Sequence, residues 1–243
     1  MKYLQAWLFY GLFTVLTIVI TTLVVIARVF GRNMAWQTGK LWGLTGNALL
    51  LLIYGIRIKI EGQEHIPDVP CVYAVKHQST WETTTLSLVL PPFAWVLKKE
   101  LMFIPFFGWA LFALGAIAIN RANPRAALKQ VNEQGVKRIQ SGRSVVIFPE
   151  GTRSAVGEKG KYQPGVILVA KKAAVPIVPI AHNAGLCWPK GTFIKRAGTI
   201  TLRILPPIPA QDVVARKRND LLEEIEQSIE DACTALGAGV SKA

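Results

Sequence analysis

At 243 residues the chain has room for one well-buried domain and a short appended segment, but not for three domains. Its 28 lysines and arginines against 15 acidic residues give a formal charge of +13, which calls for an anionic partner. A hydrophobic fraction of 51% and a positive mean hydropathy favour a phospholipid surface over nucleic acid. Cys71, Cys187 and Cys233 are odd in number, widely spaced and outside any C-x-x-C, so they indicate neither a disulfide framework nor a zinc site and fit a reducing cytosolic setting.

The run Tyr3 to Ala27 carries no charge and as a helix extends roughly 37 Å, enough to cross a bilayer with tilt. It is longer than the apolar centre of a signal peptide and lacks a small-residue cleavage site, so it reads as a retained anchor. Arg28, Arg32 and Lys40 outnumber the single Lys2 ahead of it, which places the downstream chain on the cytoplasmic face. A second apolar stretch, Leu41 to Ile56, is interrupted by Gly43, Gly46, Asn47 and Gly55 and is short for a crossing, so it reads as interfacial or buried. Residues 1–55 are expected to form a hydrophobic helical membrane anchor.

From Ile56 the pattern changes. Ile56, Ile58 and Ile60 alternate with Arg57, Lys59 and Glu61, the signature of a half-buried strand ending at Gly62. Cys71 to Lys76, Phe93 to Leu97, Ala116 to Asn120, Ser144 to Phe148, Val175 to Ala181 and Thr199 to Leu205 read as further strands. A helix opens at Asn123 with Pro124 in its first turn and Leu128, Val131 and Ile139 inward, stopping at Ser141-Gly142. Another starts near Pro164, and a last one aligns Val214, Leu221, Ile225, Ile229 and Leu236 on one face. This alternation predicts an α/β domain over residues 56–243, a mixed sheet flanked by helices.

Two constellations carry chemistry. In Lys76-His77-Gln78-Ser79-Thr80-Trp81-Glu82 a strand gives way to a helix, so His77 sits at a sheet edge where an imidazole can take a hydroxyl proton near neutral pH. Glu82 either orients that imidazole or completes a capping box with Ser79, since S-x-x-E serves both readings. Ser79 reads as the cap rather than a nucleophile. In Phe148-Pro149-Glu150-Gly151-Thr152-Arg153-Ser154 an apolar strand enters a polar loop. Gly151 permits close backbone approach there, while Arg153 and Thr152 offer donors to phosphate oxygens.

Taken together the motifs resemble those of the 1-acylglycerol-3-phosphate (lysophosphatidate) acyltransferases, over roughly Ile56 to Leu205. His77 takes the position of that family's histidine, and Glu82 stands where the family has aspartate. Gly115 to Arg121 is similar to the second motif, with Asn120 where aspartate is common. Phe148 to Ser154 is similar to the phosphate motif, and Val175-Pro176-Ile177-Val178-Pro179 to a proline-bracketed strand associated with the acyl-chain site.

The resemblance implies transfer of a fatty acyl group from acyl-CoA or acyl carrier protein to the sn-2 hydroxyl of lysophosphatidate, giving phosphatidate at a membrane, with His77 as base and Glu82 its partner. It assigns the substrate phosphate to Arg153, Gly151, Thr152, Glu150, Arg121 and Lys99, and the acyl chain to Val175, Pro176, Ile177 and Pro179. The apolar run Leu101 to Leu114 either lines an acyl groove or packs in the core. No metal, no cofactor beyond the thioester carrier and no nucleic acid are expected. Another lysophospholipid or glycerol 3-phosphate as acceptor, a phospholipid hydrolase, and a catalytically silent lipid-binding protein are the alternatives.

Overall fold

The computed structural model describes residues 1–239, so the last four residues of the expected domain lie outside the described residues. Helix α1 (Lys2–Ala27) and helix α2 (Arg32–Tyr54) reverse direction through a 3-10 turn at Arg28–Phe30 and Gly31, whose φ of 116° suits glycine. They run antiparallel: Gln5 Nε2 donates to the Ile53 carbonyl at 3.1 Å and Trp42 Nε1 to Thr17 Oγ1 at 2.8 Å. Lys2–Phe30 is long and apolar enough to cross a membrane, and among the described residues no other helix is.

The second apolar stretch is part of one continuous helix beginning at Arg32, not a separate segment from Leu41. Its glycines lie on a contact face. A Cβ on Gly43 would stand 2.2 Å from the Thr84 carbonyl oxygen, so only glycine lets α2 approach α3 (Trp81–Val89) this closely. Gly55, at φ 68°, ends α2 in the left-handed conformation and β1 starts one residue later. Phe9, Trp36, Leu50 and Tyr54 share one apolar cluster with Tyr73, Val146 and Ile180 of the sheet. Residue 55 therefore marks a change of secondary structure, while the packing runs across it without a break.

Seven strands form one sheet in the order β1-β7-β6-β2-β5-β3-β4. They are β1 (Ile56–Glu61), β2 (Val72–Val75), β3 (Phe93–Lys98), β4 (Ile117–Ile119), β5 (Ser144–Ile147), β6 (Ile177–His182) and β7 (Gly198–Ile204). All neighbours are parallel except β6 and β7. The mixed α/β sheet expected from the strand pattern is present, each strand within about two residues of its expected span.

Between the strands lie α4 (Phe107–Ala113), α5 (Pro124–Gln140), α6 (Gly165–Ala173) and α7 (Ala184–Cys187), and after β7 come α8 (Ala210–Ala215) and α9 (Arg218–Ala235). The α5 start is built as its sequence dictates: Asn123 Oδ1 accepts from Ala126 N–H at 3.1 Å with Pro124 behind it, a cap worth about 1 kcal/mol. The C-terminal helix differs from expectation. Arg216 and Lys217 are extended and split it into α8 and α9, which shifts the register so that Val213 is buried and Val214 is exposed.

Strand alternation assigns side chains to two apolar clusters. Val72, Ala74, Val145 and Ile147 pack under α5, α6 and α9, whereas Tyr73, Val75 and Val146 pack toward α1, α2 and α3. Continuing that period past Val75 sends Lys76 toward α9 and His77 toward the helical hairpin.

Candidate active site

β2 ends at Val75, and His77 follows in the short loop before α3. Its ring stacks on Phe148 with centroids 4.0 Å apart and planes 17° apart. Nδ1 lies 2.7 Å from Glu82 Oε1. Because a carboxylate only accepts, the proton belongs on Nδ1 and Nε2 is left as the basic nitrogen. The His77 side chain keeps 14% of its surface, while that of Glu82 has none.

The two readings of Glu82 both hold. The same Oε1 accepts from the N–H groups of Gln78 at 3.1 Å and Ser79 at 3.0 Å, and Ser79 Oγ accepts from Trp81 N–H at 3.1 Å. One oxygen thus fixes the imidazole and closes the start of α3. Burial alone would push the Glu82 carboxyl up, but the His182 and His77 imidazoles and the Ser79 N–H hold it below its ordinary range.

The backbone around His77 is tied from several sides. Glu150 Oε2 accepts from His77 N–H at 2.7 Å, and the His77 carbonyl accepts from Ser154 N–H at 2.9 Å. His182 Nε2 donates to the Lys76 carbonyl at 2.8 Å while its Nδ1 accepts from Ala184 N–H at 3.2 Å. Glu150 Oε1 in turn lies 2.7 Å from Lys76 Nζ and accepts from Ser154 Oγ at 2.8 Å. Lys76 Nζ also reaches Glu230 Oε1 of α9 at 2.7 Å.

Glu150, expected at the substrate phosphate, is placed as a buried carboxylate bonded to the histidine loop and to Lys76. A second anion beside it would be repelled. Gly151, at φ 69°, makes the turn and does not line the cavity described below.

Arg153 and Thr152 do reach that cavity, as does the half-buried Arg121. Arg153 Nη1 donates to Thr80 Oγ1 at 3.0 Å, which tethers the guanidinium at the start of α3 in the cavity that His77 also lines. Burial pulls the Arg121 pKa down with Glu100 opposing, and among the described residues its Nε has no hydrogen-bond partner. Lys99 opens an exposed 3-10 turn outside this cavity, whereas its neighbour Lys98, the last residue of β3, lines it.

The cavity encloses about 440 Å³. His77, Thr80, Lys98, Arg121, Thr152 and Arg153 give it a polar region, and most of its remaining walls are apolar. Ile20, Thr21 and Val24 come from α1, Trp36, Gly39 and Trp42 from α2, and Ala110, Leu111 and Leu114 from α4 or its end. Part of the Leu101 to Leu114 run thus lines a groove. Of the residues expected at the acyl chain, Val175, Pro176, Ile177 and Pro179, none lines this cavity, and β6 is buried along its whole length with Ile177 on the opposite face. Sequence reasoning missed the walls from α1 and α2. Their one signal was Gly39, Gly43 and Gly46, a stripe of small residues along one helix.

Cys71, Cys187 and Cys233 are buried free thiols. Cys71 and Cys233 are pushed up by burial to about 11 and about 12, which leaves them protonated and poor nucleophiles.

Comparison with known proteins bears on this arrangement. The profile of the family described as Acyltransferase matches residues 57–183. A 1-acyl-sn-glycerol-3-phosphate acyltransferase of Pseudomonas aeruginosa is 47% identical over 73% of this chain and 69% of its own length. One from Limnanthes douglasii is 32% identical over 89% of this chain and 79% of its own. The crystal structure of the 1-acyl-sn-glycerophosphate (LPA) acyltransferase PlsC from Thermotoga maritima superposes with a TM-score of 0.82 at 23% identity, covering 99% of this chain and 98% of that one.

Proposed function

The chain belongs to the Acyltransferase family and is an O-acyltransferase; on that premise we propose that it transfers a fatty acyl group to the sn-2 hydroxyl of lysophosphatidate, giving phosphatidate. The observation that carries this reading is the placement of His77, with Nδ1 committed to Glu82, in one cavity with Arg153 and long apolar walls.

In the proposed reaction His77 Nε2 removes the acceptor hydroxyl proton as that oxygen attacks the thioester carbonyl. The C–O bond forms, the C–S bond breaks, and the imidazolium returns the proton to the departing thiolate. Glu82 stabilises the transient imidazolium. Direct transfer needs no enzyme nucleophile, in keeping with the protonated thiols and with Ser79 Oγ engaged at the start of α3. Arg153, Arg121 and Lys98 hold the acceptor phosphate, and the acyl chain lies against α1, α2 and α4. The donor is acyl-CoA or acyl carrier protein, with no further cofactor. The exposed apolar residues of α1 and the net charge of +13 favour attachment to an anionic membrane surface, which we place on the cytoplasmic face.

The test is a purified-protein assay offering lysophosphatidate, glycerol 3-phosphate and lysophosphatidylcholine with one acyl donor, beside His77→Ala. Turnover of lysophosphatidate ahead of the other two, lost in the variant by roughly 10²–10⁴-fold, is expected. Preference for another acceptor, or full activity in His77→Ala, overturns the reading.

A further inference from the structure

A second cavity, of about 760 Å³, is lined by the first turn of α1, the end of α2 and the segment Pro189 to Ala197 between α7 and β7. Its walls carry Lys2, Lys195 and Arg196 and, among the described residues, no carboxylate. Lys195 is 4% exposed, and among the described residues its Nζ has no hydrogen-bond or ion-pair partner. The ammonium is held by aromatic rings instead, 3.9 Å from the centroid of Tyr10, 4.0 Å from Phe9 and 4.4 Å from Trp188. The cage stabilises a cation in place but supplies no full negative charge.

We infer that this cavity is a second phosphate site, in which Arg196 and Lys2 contact the phosphate of an anionic phospholipid and the caged Lys195 supplies the buried positive field. A phosphate is the chemistry that three cations in one wall accept, since it presents several acceptor oxygens at once. Burial pulls the Lys195 pKa down to about 7, and an anion alongside would favour the charged form again. The surroundings favour a lipid source: Tyr3, Leu4 and Trp7 of α1 and Leu52 of α2 are exposed around the same end of the hairpin. Acyl chains of a lipid whose headgroup sat here would cover such residues.

The site is linked to the catalytic cavity through its own segment. Lys190 Nζ donates to the Arg153 carbonyl at 2.6 Å, and Phe193 stacks on Tyr10 at 5.0 Å between centroids. A phosphate bound beside Arg196 would thus brace the loop that carries Arg153. It remains a separate site, as it shares no lining residue with the groove.

Detergent-purified full-length protein titrated calorimetrically with dihexanoyl phosphatidate, in an Arg153→Met background, isolates the second site from the first. One equivalent is expected to bind, and Arg196→Gln with Lys2→Gln, both at exposed side chains, is expected to weaken it at least tenfold. Lys195→Met should do the same with an unchanged melting midpoint. Inorganic phosphate in a parallel titration identifies the source: binding at least tenfold weaker than the lipid supports a headgroup site, and equal binding overturns the lipid assignment. No binding in the Arg153→Met background, or binding unaffected by the paired substitution, overturns the site and leaves Lys195 a packing residue. Comparison of wild type with Arg153→Met alone bears only on the proposed acceptor site.

Discussion

Lys76 Nζ lies 2.7 Å from Glu150 Oε1, and neither side chain is exposed. Burial alone would pull the ammonium down, but Glu150 and Glu230 more than reverse this and raise its pKa. The pair ties the end of β2 to the Arg153 loop, and Glu150 holds the His77 N–H with its other oxygen. Lys76→Met leaves a buried carboxylate without its cation, which should cost about 3–5 kcal/mol. Urea unfolding of the solubilised protein measures it; a loss below about 1 kcal/mol would show that the pair contributes little beyond its desolvation cost.

Glu82 has two duties that substitution separates. In Glu82→Gln the amide oxygen still accepts from Gln78 and Ser79 N–H, so the start of α3 survives and the melting midpoint should move little. A neutral amide cannot stabilise an imidazolium, so kcat should fall roughly 10²–10⁴-fold. Glu82→Asp keeps the charge but shortens the arm, and should retain more activity than Gln. An inactive Gln variant that also unfolds early would mean that the helix start, not the charge, is what matters.

How far the sequence reached is visible in these same residues. Strand alternation, the Asn123-Pro124 cap and the proximity of His77 to Glu82 are local signals, written in spacings of two to five residues, and each appears in the fold. Lys76 to Glu230 spans 154 positions and His182 to Lys76 spans 106. No periodicity encodes such pairings. That Val175–Pro179 does not line the cavity was illegible for a related reason: an apolar strand looks the same whether it faces a cavity or a neighbouring helix. The Val214 register was lost because two residues of extended chain at Arg216 and Lys217 reset the helical phase.

His182 makes acid sensitivity a test of the network. It is neutral in the fold, with Nε2–H given to the Lys76 carbonyl; burial holds its pKa below 6.5, while Glu82 opposes and His77 adds to the lowering. Below pH 6.5 the unfolded chain binds this proton before the folded one does, so stability is full above 6.5 and declines as pH drops toward the folded value. The slope from one proton is at most about 1.4 kcal/mol per pH unit. Glu82, also lowered, contributes its own loss only below 4.5, outside this window. Unfolding free energies at pH 7.5 and 5.5 should therefore converge in His182→Gln by about that one-proton amount, and an unchanged difference would remove His182 from the account.

Two glycines four residues apart on α2 should behave oppositely. A Cβ on Gly43 would overlap the Thr84 carbonyl at 2.2 Å, so Gly43→Ala should push α2 from α3 and cost about 1–3 kcal/mol or more in unfolding free energy. At Gly39 the nearest atoms, of Leu114 and Val24, are 3.6 Å and 3.9 Å away, and the position faces the groove. Gly39→Leu should fold and instead shorten the accepted acyl chain. Excluding about three methylenes at roughly 0.8 kcal/mol each shifts the ratio of kcat/KM for short against long donors on the order of 50-fold. An unaltered chain-length profile would place the acyl group elsewhere.

Arg153 carries the largest share of the proposed phosphate contact because its fork is held by an uncharged partner, Thr80 Oγ1 at 3.0 Å, and set in the same cavity as the base, whereas Lys98 is paired with Glu100 at 3.5 Å. A hydrogen bond to a charged group contributes about 1.5–3 kcal/mol, so Arg153→Met should lower kcat/KM for lysophosphatidate by roughly 10–150-fold. Arg153→Lys keeps the charge but loses the planar fork and should recover only part of this. Thr80→Val removes the tether and leaves the guanidinium free to turn, a smaller loss of about 0.5–1.5 kcal/mol. The discriminating measurement is the acceptor comparison in each variant. A phosphate role predicts that the deficit shrinks when the acceptor lacks a phosphate monoester, whereas a purely structural role would lower turnover of every acceptor by the same factor.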